Sequence, residues 1–149
     1  MDDYRQLRRS PGSQKGNSLI EFTFLVPWFV FLFVGSFDLG MYSYALVAVQ
    51  DGVRAAAVNA SQNATTAADG GTAGGFVLDS IKDLPNIGSA VSGTSSAPIV
   101  VTATLGTGPD GGNMTTITAT YTSPQLIPIP GLIPGQLTIV KTAKMRVRN

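Results

Sequence analysis

Lys15-Gly16-Asn17-Ser18-Leu19-Ile20-Glu21-Phe22 leads straight into a charge-free run, Phe22 to Phe37, reading FTFLVPWFVFLFVGSF. As a helix the stretch 19–37 would rise roughly 28 Å, the thickness of a bilayer's hydrocarbon core. Asp38 ends the strictly apolar part. From Leu39 to Ala60 the composition still favours helix, with polar residues scattered through it. The pattern therefore predicts one continuous helix from about Ser18 to about Ala60, its first half in lipid and its second half emerging. Arg5, Arg8, Arg9 and Lys15 precede the apolar run, which predicts a cytoplasmic N-terminus and an extracytoplasmic C-terminal part. Tyr42 and Tyr44 fall where an interfacial aromatic belt would sit.

Three residues interrupt this grease. Glu21, the chain's single glutamate, stands at the mouth of the run; a carboxylate entering lipid is costly and marks a functional position. Pro27 removes one helix hydrogen bond and predicts a kinked anchor or a hinge. Asp38 lies about 25 Å along a straight helix from Glu21. That depth puts it at the outer interface, where a solvated carboxylate costs little, with contact to another subunit as the alternative.

The bulk composition excludes more than it assigns. The chain's 149 residues have a net charge of +1, and only 13% are charged, so no strong field points to nucleic acid. There is no Cys and no His, which removes disulfides, thiolate chemistry, the commonest general base and the commonest metal ligand. No nucleotide loop appears, and Asp79 with Asp83 make too few ligands for a metal. The inventory argues against an enzyme, a cofactor or a small-molecule substrate.

A cleavable secretory signal or a plain signal anchor would also use an apolar N-terminal segment. The spacing of a basic leader, Gly16, and Glu21 at the fifth position after that glycine instead resembles a type IV pilin-like signal. Ser18-Leu19-Ile20-Glu21-Phe22-Thr23-Phe24-Leu25-Val26-Pro27, then Phe37-Asp38-Leu39-Gly40, then Val49-Gln50-Asp51-Gly52-Val53-Arg54-Ala55-Ala56-Ala57, is similar to the opening of TadE-like pseudopilins of the tight-adherence (Flp) pilus system. The ending Thr142-Ala143-Lys144-Met145-Arg146 resembles a Met-Arg ending common in that family, although Arg148-Asn149 stands where an acidic residue often follows. The resemblance implies cleavage by a prepilin peptidase between Gly16 and Asn17, before the apolar helix, which is retained. It implies that Glu21, next to Phe22, pairs with the N-terminal amine of a neighbouring subunit. It also implies other pilins or pseudopilins as partners, with no catalysis. The alternative reading is an uncleaved, single-pass, membrane-tethered binding module.

The remainder reads as a small head. Residues 61–75 (SQNATTAADGGTAGG) have no apolar period and predict a flexible link. Val77, Leu78, Ile81 and Leu84 fall at helical spacing before Pro85, predicting a short amphipathic helix. Pro98–Leu105, Thr115–Thr122 and Leu137–Val147 alternate as strands, with turn-rich Gly106–Asn113 between the first two. Lys141 breaks the parity of the last strand, which predicts a bulge or a shift of pairing there. The greasy, proline-rich stretch 126–134 predicts a loop over the sheet or a contact patch. The expected organisation is a leader over 1–16, a transmembrane and extended helix over 17–60, the link over 61–75, and an α+β, pilin-like head over 76–149. About three antiparallel strands are expected in the head.

Overall fold

The computed structural model describes residues 15–87, 93–124 and 135–148. Most of the leader and the proline-rich stretch 126–134 lie outside the described residues. The chain divides into two units, residues 1–37 and 38–149. Helix α1, Lys15–Ala60, runs through the boundary without a break and includes Pro27.

In the first unit, every described side chain from Ser18 to Phe33 is exposed. Phe24 is 80% and Phe33 73% accessible. A helix that is apolar on all sides suits a hydrocarbon surround, and this is the one helix among the described residues long and apolar enough to cross a membrane.

In the second unit, the upper part of α1 is amphipathic. Ala45, Val49, Gly52, Val53, Ala56 and Ala60 are buried; they recur at three- and four-residue spacing and so share one face. All are small, which lets the helix lie close to its neighbours. At Gly52 a Cβ would come within 3.0 Å of Val77 Cα and 3.1 Å of Ser80 Cβ, so the absent side chain is what admits the second helix there.

That helix, α2, spans Gly70–Ile81, preceded by a 3-10 turn at Thr66–Ala68. Residues 66–75 are thus largely helical instead of a structureless link, and the predicted amphipathic helix starts earlier than its apolar period suggests. Asp69 supplies the start signal: its Oδ1 accepts from the N–H groups of Gly71 and Thr72, and its Oδ2 accepts from the Thr72 hydroxyl at 2.6 Å. These bonds satisfy free helix N–H groups and hold the carboxyl below its ordinary range, the Thr72 hydroxyl contributing most.

Among the described residues, four strands form an antiparallel meander in the order β1-β2-β3-β4: Ser95–Ser96, Ile99–Thr107, Asn113–Thr122 and Thr138–Arg146. The extra strand, two residues long, is the difference from the expected three. Ile99, Val101, Ile117, Ala119, Tyr121 and Ile139 join the α1 and α2 residues in one core. Buried Thr115 donates to the carbonyl of Ala67 at 2.6 Å, tying the 3-10 turn to the sheet. The opposite sheet face is wet and rich in threonine: Thr102, Thr118 and Thr142 stand in one row, and Thr104 and Thr116 in the next.

No bulge occurs at Lys141. Pairing between β3 and β4 is continuous from Met114↔Arg146 to Thr122↔Thr138, and Lys141 sits opposite Ala119 on the helix-facing side. Because β4 is an edge strand, the lysine stem can lie along the core while its ammonium reaches water past the edge.

Candidate assembly site

The lower end of α1 carries the residues singled out from the sequence. Gly16 and Asn17 lie at the described start of α1. Glu21 and Phe22 follow, both exposed, on a segment whose other described side chains are also exposed. Pro27 lies further along the same unbroken helix and has no N–H for the carbonyl of Thr23. The Thr23 hydroxyl in turn donates to the carbonyl of Leu19 at 2.8 Å. Leu19, Thr23 and Pro27 are four apart, so one line along the helix concentrates both departures from regular bonding. Trp28 and Phe31 stack with ring centroids 5.9 Å apart.

The structure does not bring Asp38 to the solvent. It is only 7% exposed, and its Oδ2 is buried without a hydrogen-bond partner among the described residues. The expectation of a solvated interfacial carboxylate is therefore corrected. The cause is helical phase: Asp38 lies seven residues before buried Ala45, on the face of α1 that turns into the head. Met41, Tyr42 and Ala45 on that face line a narrow apolar pocket with Leu84, Pro85 and Tyr121. Extending the small-residue period of the upper helix downward by two turns would have placed Asp38 inside.

Elsewhere in the head the polar groups are structural. Tyr121 donates its hydroxyl to Asn86 Oδ1 at 2.5 Å, and Asn86 Nδ2 donates to the carbonyl of Thr122 at 2.7 Å. Asp79 pairs with Lys82, and Asp110 with Arg146 at 2.8 Å. Among the described residues, no group of three or more acidic residues is placed to hold a metal ion.

The helix bearing this site is also the part that known proteins recognise. Residues 16–58 match the family model described as TadE-like protein. Over that helix the chain is similar to TadE-like proteins. No curated protein and no solved structure matches it. The match covers Gly16, Glu21, Pro27 and Asp38 together and ends just short of the C-terminus of α1. The length and all-round exposure of the apolar segment fit a membrane-anchoring helix.

Proposed function

We propose that the protein is a minor pseudopilin, or assembly subunit, of a tight-adherence pilus. It is made as a precursor and cut between Gly16 and Asn17 by a prepilin peptidase. Its N-terminus is cytoplasmic, and its head lies outside the inner membrane. The observation that carries this reading is the TadE-like match over residues 16–58, which joins Gly16 and Glu21 to a lipid-length helix in one segment.

The physical chemistry agrees with that role. A glycine before the scissile bond lets a protease approach the backbone closely. Cleavage would free the α-amine of Asn17 at the level of Glu21. A carboxylate in a low-dielectric surround gains most from a hydrogen-bonded cation, so pairing Glu21 with the amine of a neighbouring subunit would set the register between otherwise greasy helices. The protein's role on this reading is structural, not catalytic.

Co-expression with a prepilin peptidase, followed by intact-mass measurement, tests the reading. Loss of residues 1–16 is the expected result, and Gly16→Trp should block it. An unchanged mass in the presence of an active peptidase would overturn the proposal in favour of an uncleaved tethered module. Glu21→Ala should still be cut but should fail to support piliation.

A further inference from the structure

We propose that the free edge of β4 is a docking strand for an extended, acidic segment of another protein. This surface is separate from the lower helix, and the proposal does not depend on cleavage at Gly16.

Among the described residues, strand β4 pairs with β3 on one side only and ends the sheet. Its outer backbone groups open into a groove of about 620 Å³, walled by β4 residues 141–145 and by Gln50, Val53, Arg54 and Val58 of α1. Apolar surface from Val58, Ala143 and Met145 lies in this groove, suited to alternate side chains of an added strand. Three cations surround it: Arg54, Lys141 and Lys144. The ion pairs present elsewhere in the head use other residues, Lys82 with Asp79 and Arg146 with Asp110. Among the described residues none of these three cations forms an ion pair, and positive charge dominates the groove.

That charge selects the occupant. None of the four strands contains an Asp or Glu. A second copy's β4 laid along this edge would set Lys141, Lys144 and Arg146 against their like, which costs energy. Lysines on an edge commonly serve just to repel such pairing. Here the repulsion works against self-association, while the apolar surface and the open backbone remain available to a strand of opposite charge. Electrostatic complementarity of this type raises the encounter rate and rejects wrong partners.

The test uses the full-length protein in nanodiscs of zwitterionic lipid and a fluorescent octapeptide of alternating Glu and Val. Saturable binding by anisotropy is expected. It should weaken roughly tenfold or more in the Lys141→Glu/Lys144→Glu double variant, which should instead bind the Lys-Val counterpart. Arg54→Glu, a change on the exposed helix surface, provides a second variant if the strand changes disturb folding. The same Glu-Val peptide with every backbone nitrogen methylated keeps its charge but cannot pair as a strand, so it should not bind. Equal binding of the methylated peptide would overturn the proposal by reducing the effect to charge alone. Absence of saturable binding would overturn it by leaving the lysines as edge guards. Displacement of the peptide by anionic vesicles but not by excess unlabelled peptide would reassign the groove to lipid headgroups.

Discussion

Asp38 carries a carboxylate oxygen into the head with no donor among the described residues to receive it. Leaving such an atom buried costs about 1–3 kcal/mol. Asp38→Leu should therefore raise the thermal unfolding midpoint of the head, as read by near-UV circular dichroism, whereas a lower midpoint would mean that the carboxylate is satisfied in solution. Tyr121 poses the opposite case. Burial pushes its phenol above the ordinary value of 10.0. The folded state thus holds this proton more tightly than the unfolded chain. The resulting stabilisation is complete below pH 10 and is lost as pH climbs from there through the folded-state value. Tyr121→Phe should cost about 1 kcal/mol at neutral pH by removing the bond to Asn86. It should also flatten the alkaline fall in stability measured by denaturant titration. The burial of Tyr121 could be read from the alternation of Ile117, Ala119 and Tyr121. Its partner could not, because Asn86 lies 35 residues away in a turn without a periodic signal.

The elements differ in how plainly their residues announce them. Strands β2, β3 and β4 follow from β-branched alternation, and the upper half of α1 from its alanines and valines. Helix α2 is another matter. Its first half, Gly70 to Gly75, is rich in glycine, each costing a helix about 1 kcal/mol relative to alanine. Close packing against α1 and the Asp69 cap outweigh that cost, and neither is visible in a local propensity. Gly52→Val should destabilise the head by about 1–3 kcal/mol, because the crossing at Val77 and Ser80 has no room for a branched side chain. Urea denaturation with an unchanged m-value would confirm a loss confined to packing. Asp69→Ala should lower the melting temperature more than Asp69→Ser, since serine retains a capping oxygen. The Asp69 contribution fades in acid: its folded-state carboxyl titrates below the ordinary value of 3.8. The stabilisation it gives is therefore present above that value and disappears as pH falls through the depressed one.

At the scale of the molecule, two units of different solvent preference share one chain. The unit starting at Asp38 has its own core, drawn from both helices and three strands. A fragment beginning there should stay in solution without detergent and unfold in one cooperative step, as followed by circular dichroism and scanning calorimetry. Detergent dependence of that transition would show that the core is incomplete without residues 1–37. The sequence made this partition legible through the abrupt end of the apolar run. Strand order was not legible, because pairing depends on contacts remote in the chain and β1 contributes only two residues.

The wet face of the sheet has a consequence of its own. Rows led by Val100, Thr120 and Val140, and by Thr102, Thr118 and Thr142, contain no ionisable group, and the Thr118 and Thr142 hydroxyls are themselves 3.1 Å apart. Methyls and hydroxyls alternate there on a stiff backbone, and hydration of such a surface is indifferent to acidity and ionic strength. While the basic rim around β4 weakens as salt rises, this patch keeps its character in brine, fresh water or acid alike.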